Sequence, residues 1–166
     1  GGAGPISAEW MLPKALWLKQ REPETWARAA TVCECQDWLN FKLTGRLVAG
    51  GCNVATRWHC DGKAACEEVE DCRFGGRPSE LLRRCGLEAL EEKWPRTCVA
   101  MGQPAGELTK AAAAHLCLKE GTPVSQGGAD AFKLIAAFDA GAAGAGGGKG
   151  GEVSNIYADS ALETID

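Results

Sequence analysis

The sequence has no run of basic residues, no stretch approaching eighteen consecutive apolar residues, and no charged segment leading into an apolar one at its start. Each absence excludes a class of protein. Without clustered Lys and Arg nothing can neutralise several phosphates at once, and 18 Lys+Arg against 22 Asp+Glu leave a net charge of −4, so no nucleic-acid partner is expected. A spanning helix needs about 20 apolar residues. No membrane contact is therefore expected, and without a leader-like segment the expected location is cytoplasmic. The sequence also shows no internal repeat.

What is present is one domain's worth of chain. At 166 residues, 45% hydrophobic and 24% charged, it can bury a core over most of its length. It opens with Gly1, Gly2, Ala3 and Gly4 rather than an initiator methionine, which reads as a piece of something longer.

Nine cysteines are present. The close pair Cys33 and Cys35 is one residue too tight for a zinc knuckle, and no second knuckle or histidine pair accompanies it. Cys60, Cys66 and Cys72 recur every six residues, with His59 beside the first and five carboxylates between Asp61 and Asp71. That stretch is the candidate for a metal-binding or thiol module. Free thiols are the preferred reading, because a reducing compartment keeps them reduced.

Periodicity divides the chain. Met11, Leu12, Ala15, Leu16 and Leu18 recur at helical spacing until Pro23, giving two short helices joined at Glu22 and Pro23, with Ser7 as the cap of the first. Residues 31–35 alternate and read as a strand. Asp37 then caps a helix through Trp38, Phe41 and Leu43 that Thr44 and Gly45 stop. Gly50 and Gly51 open a loop, and residues 60–76 read as a surface excursion. Helices follow around 79–85 and 90–94, broken at Gly86 and ended before Pro95; residues 97–100 read as a strand, and Thr109 caps an alanine-rich helix from Lys110 to Leu116. A glycine-rich turn at 127–131 precedes a helix near Phe132. The eleven residues from Gly141 to Gly151 hold seven glycines and cannot pack a core, so 139–166 reads as a flexible linker and short acidic tail.

Five segments in this order resemble the later half of the N-terminal domain of the FGGY carbohydrate kinases, closest to their ribulokinase-like branch. They are EWMLPKALWLKQREPETWARAA, VCECQDWLNFKLTG, NVATRWH, GLEALEEKWP and GTPVSQGGADAF. The D-W-L-x-x-x-L-T-G segment from Asp37 to Gly45 and the G-G-x-D-A segment from Gly127 to Ala131 are the most specific. The resemblance implies an α/β, helix-rich part of a ribonuclease-H-like, actin-like ATPase domain over residues 1–138, with an insertion near 60–76. It implies ATP-dependent phosphorylation of a sugar hydroxyl, a pentulose such as ribulose being the expected substrate, with ATP and Mg2+ as cofactors.

On this resemblance Asp130 matches the catalytic aspartate. A sugar hydroxyl is a weak nucleophile unless a carboxylate within hydrogen-bond reach orients it and takes its proton. Gly127 and Gly128 would let the backbone approach the substrate closely. Read without the resemblance, Asp130 caps the helix near Phe132. Arg57 can reach a sugar hydroxyl, with Trp58 supporting a sugar face; the alternative is a surface arginine beside a core tryptophan. His59 is expected to pack and Lys14 to face solvent. The family's phosphate loop and second-domain glycine segments have no counterpart here: Lys149 is followed by Gly150, so the glycine tract lacks the G-x-x-x-x-G-K-[ST] spacing. The non-enzymatic alternative is a fragment that binds sugar or assembles with another chain.

Overall fold

The structure is a computed structural model and describes residues 6–66 and 74–128. Helix α1 (Met11–Arg21) buries Met11, Leu12 and Ala15. It ends where expected, because Pro23 has no N–H to give to the helix and instead opens α2 (Pro23–Arg28) at its first position. Ser7 does not cap α1. Trp10 holds that position without a side-chain bond, and Ser7 Oγ accepts the Glu9 N–H at 3.2 Å in a turn ahead of the helix.

The strand expected at 31–35 is absent. Residues 31–34 are irregular and Cys35 already begins α3 (Cys35–Thr44). Val32 donates to the Lys93 carbonyl at 2.8 Å, but one such bond is not a ladder. Asp37 consequently sits three positions past the cap, at the third residue of α3, with Glu34 in the N-cap place. Gly45 closes the helix in the left-handed region at φ 72, a conformation in which a Cβ would crowd the following carbonyl.

Gly50 and Gly51 do not form a loop. Val48–Gly50 is β1 and Gly51–Arg57 is α4. After α5 (Gly62–Ala65), α6 (Ser79–Arg84) and α7 (Leu90–Lys93), the chain returns as β2 (Thr97–Val99), parallel to β1 with Ala49 opposite Cys98. The break at Gly86 (φ 66) and the stop before Pro95 match the sequence reading. β3 (Pro104–Glu107) pairs antiparallel with β4 (Pro123–Ser125), with a register shift between Pro104 and Gly106. Between them runs α8 (Lys110–Leu116), where Thr109 accepts the Ala112 N–H at 3.2 Å and caps as expected.

The core lies around three aromatic rings. Trp58 and Trp94 stack with centroids 4.9 Å apart, Phe74 leans on both, and the Arg77 guanidinium lies 4.2 Å over the Phe74 ring. Arg77 also donates to the carbonyls of Phe74 at 3.1 Å and Glu91 at 2.7 Å, which carries its charge into the interior. The stretch 60–76 is thus not a pure surface excursion: Cys60, Ala65 and Phe74 are buried. The apolar collar of a core ring outweighs the charge of the surrounding sequence. The turn from Ala129 through Asp130, the run near Phe132 and the tail at 139–166 lie outside the described residues, as does Cys72.

Candidate functional site

Helix α3 is turned inside out. It buries Asp37, Asn40 and Thr44, spaced three and four residues apart on one face, and leaves Trp38, Leu39 and Phe41 exposed. The sequence reading placed Trp38 and Phe41 on this helix without giving them a side. The structure assigns them to the outside, because the polar stripe has partners that hydrophobic residues could not replace.

Asp37 is fully buried. Its Oδ2 accepts the Glu34 N–H at 3.2 Å and its Oδ1 accepts the Gly50 N–H at 3.0 Å, so one carboxylate closes the start of α3 and holds the end of β1. Burial pushes its carboxyl up to about 6, with the two backbone donors working in the opposite direction. Asn40 Nδ2 donates to Gln126 Oε1 at 2.9 Å. Gln126 is also buried, its N–H donating to the Gln103 carbonyl and its own carbonyl accepting the Gly102 N–H, both at 2.8 Å. Its Nε2 has no partner among the described residues and lies against Gly50, where a methyl group would overlap it.

This network carries the position of the next residues. Gly127 and Gly128 follow Gln126 directly, and Gly128 packs so closely on Met101 Sδ that a side chain there would overlap it; Cys52 at the start of α4 lies on the same side. The most specific motifs of the sequence therefore meet. Asp37 and Asn40 of the first hold Gly50 and Gln126, and Gln126 leads into the second.

At the far end of α4, Arg57 Nε donates to Glu34 Oε1 at 3.2 Å and Nη2 to the Glu9 carbonyl at 2.8 Å. Trp58 Nε1 shares the same Glu34 oxygen at 2.9 Å. Trp58 is fully buried, which corrects its expected place under a sugar ring: its faces are taken by Trp94 and Phe74. His59 packs edge-on against Trp10 at 4.9 Å, and burial lowers its affinity for a proton. Lys14 pairs with Glu9 at 2.9 Å in solvent, as expected of a face residue. Two open hollows, of about 430 Å³ at Pro13, Lys14 and Trp17 and about 510 Å³ at Arg46, Pro104 and Pro123, are lined by none of Arg57, Gly127 and Gly128.

Among the described residues, the turn at Gly50 and Gly51 does not offer a nucleotide an open phosphate seat. The strand–glycine–helix turn at Gly50 and Gly51 is the kind of place that receives phosphate, yet Gly51 is covered by Cys66 Sγ and the Val99 carbonyl, 2.8 and 3.4 Å from where its Cβ would stand. Among the described residues no group of three His, Cys, Asp or Glu could hold a metal ion, and the eight described cysteines are free. No described helix is long and apolar enough to cross a membrane.

The N-terminal domain model of the FGGY family of carbohydrate kinases matches residues 5–138. The chain belongs to the FGGY family of carbohydrate kinases. Ribulokinase of Anoxybacillus flavithermus is 33% identical over 138 residues, covering 80% of this chain and 22% of that protein. Autoinducer-2 kinase of Enterobacter sp. is 34% identical over 129 residues, 77% of this chain and 22% of that one. The crystal structure of xylulose kinase from Rhodospirillum rubrum superposes with a TM-score of 0.57 at 23% identity, over 81% of this chain and 25% of that chain. The fold is that of the FGGY sugar kinases, and the chain spans about a fifth of the length of the curated relatives it matches. Its inverted helix α3 is the element that joins the two segments the sequence reading singled out. Asn40 and Gln126 escaped the sequence reading. The i, i+3, i+7 polar spacing of Asp37, Asn40 and Thr44 was the available signal.

Proposed function

We propose that this chain is the sugar-side part of an ATP-dependent sugar kinase, acting in the cytoplasm on a pentulose such as ribulose. The observation that carries this reading is the Asp37–Gly50 and Asn40–Gln126 network, which holds the chain at Gln126, directly ahead of Gly127 and Gly128. A catalytic carboxylate must be held to within a fraction of an ångström of the hydroxyl it deprotonates, and four residues before Asp130 in the sequence Gln126 is a buried, hydrogen-bonded anchor. The name of the ribulokinases among the relatives supports the pentulose.

In this reading Asp130 orients the attacking hydroxyl and takes its proton, and Gly127 and Gly128 admit the substrate to the backbone. Arg57 keeps Nη1 without a partner among the described residues, so it can still donate to a sugar oxygen while Glu34 holds its Nε. In this reading ATP and Mg2+ are held elsewhere in the kinase, which the covered Gly51 turn supports. When bound there, they supply the phosphoryl group and neutralise its charge.

The test is Asp130→Asn in the full-length kinase. Turnover should fall by about 10²–10⁴-fold, the usual effect of losing a general base, with sugar affinity changing far less. Turnover retained in a folded variant would reduce Asp130 to a helix cap and remove the catalytic assignment.

A further inference from the structure

Cys66 ends α5 and Cys98 stands in the middle of β2, and their sulfurs face each other at 3.9 Å across the Gly51 turn. The two residues are 32 apart in sequence, so the fold and not the chain brings them together. Two sulfurs at this distance are in van der Waals contact, and closing to the bonded distance of about 2.05 Å requires a movement of under about 2 Å. Cys66 is exposed, whereas Cys98 is half covered by its strand. The other described cysteines are free and none has another sulfur recorded in contact with it.

The pair divides its labour. A thiol donated from Cys98 stabilises a thiolate on Cys66 and lowers the Cys66 proton affinity, while the same contact and burial raise that of Cys98. One sulfur is therefore exposed and gives up its proton more easily than a free thiol, with its neighbour in contact beside it. Oxidant-sensing thiols have this composition: an exposed nucleophile and a resolving cysteine at contact distance.

We propose that Cys66 and Cys98 form a reversible oxidation site that takes a hydroperoxide as its oxidant. The Cys66 thiolate attacks the terminal peroxide oxygen, the O–O bond breaks, and hydroxide leaves to become water, giving a sulfenic acid on Cys66. The Cys98 sulfur then displaces the sulfenic hydroxyl, which departs as a second water with the Cys98 proton. Two thiols and one hydrogen peroxide become one disulfide and two waters; a dithiol reductant reverses the change. The bond ties α5 to β2 over Gly51, one residue from the Gly50 N–H that Asp37 holds. The site is independent of the kinase reading.

The experiment treats the reduced chain with one equivalent of hydrogen peroxide, blocks remaining thiols with N-ethylmaleimide, and maps disulfides by digestion and mass spectrometry. A Cys66–Cys98 linked peptide should dominate and disappear on dithiothreitol treatment, and the oxidised chain should melt about 5–15 °C higher, the effect of closing a loop of this length. In Cys98→Ser, dimedone should label Cys66 as a sulfenic acid. Cys66→Ser, at an exposed position, should fold like the parent and leave Cys98 alkylated by N-ethylmaleimide. Recovery of both residues as maleimide adducts after the peroxide is consumed would overturn the proposal. So would a dominant link from Cys66 to any other cysteine.

Discussion

Two buried regions hold this chain together by opposite means. Around Trp58, Phe74 and Trp94 the interior is apolar, with one cation laid over the rings. Around Asp37, Asn40, Gly50 and Gln126 it is polar, and hydrogen bonds with fixed directions replace shape as the organising force. An apolar core tolerates small shifts because dispersion contacts are many and individually weak. A buried polar network does not, since every donor left without an acceptor costs about 1–3 kcal/mol. Stability resides mainly in the first region, whereas the second fixes position and lies directly upstream of Gly127 and Gly128, the residues proposed to admit the sugar.

The largest break falls in the aromatic region. Trp58→Ala removes a fully buried ring from the stack and leaves Glu34 without its indole donor, so unfolding free energy should drop by about 3–5 kcal/mol in a urea titration. A loss below about 1 kcal/mol would show that the stack does not bear the fold.

The polar region should announce itself through pH. Asp37 binds its proton in the folded chain at about 6, against 3.8 when free, so between these values the folded state holds more protons than the unfolded one. Its contribution to stability is then largest below about 3.8 and fades as pH rises through 6. Asp37→Asn removes this dependence and also turns a donor toward the Glu34 N–H, so the variant should fall further behind the parent at pH 4.5 than at pH 7, by up to about 2 kcal/mol. Parallel urea curves at the two pH values would refute a buried, titrating Asp37.

The smallest effect sharpens the comparison most. Gly50→Ala places a methyl on Gln126 Nε2 and should cost about 1–2 kcal/mol through overlap. In a Gln126→Ala background the same change should cost much less. A double-mutant cycle with no coupling would mean that the strand leading to Gly127 is not held against β1.

Much of the helical framework was legible because its signals are local. Pro23 has no N–H wherever it is placed, Gly45 and Gly86 adopt positive φ where helices stop, and Thr109 meets the Ala112 N–H three residues on. Strands of three or four residues carry no such signal. Val48–Gly50 exists because Thr97–Val99 lies beside it, and Pro104–Glu107, poor in β-formers, because Pro123–Ser125 returns to pair with it. Residues 31–35 alternate as a strand should, yet among the described residues no partner strand reaches them.

The sequence by itself determined where the helices break, the order of segments that marks the family, and the candidates Asp130, Arg57, Gly127 and Gly128. Tertiary structure alone decided which face of α3 turns inward, that Asp37 would reach Gly50, that Trp58 would be sealed under Trp94, and that Cys66 would meet Cys98. The physical reason is range: backbone sterics and capping act within four residues, whereas a buried carboxylate or thiol takes its meaning from whatever the fold sets against it.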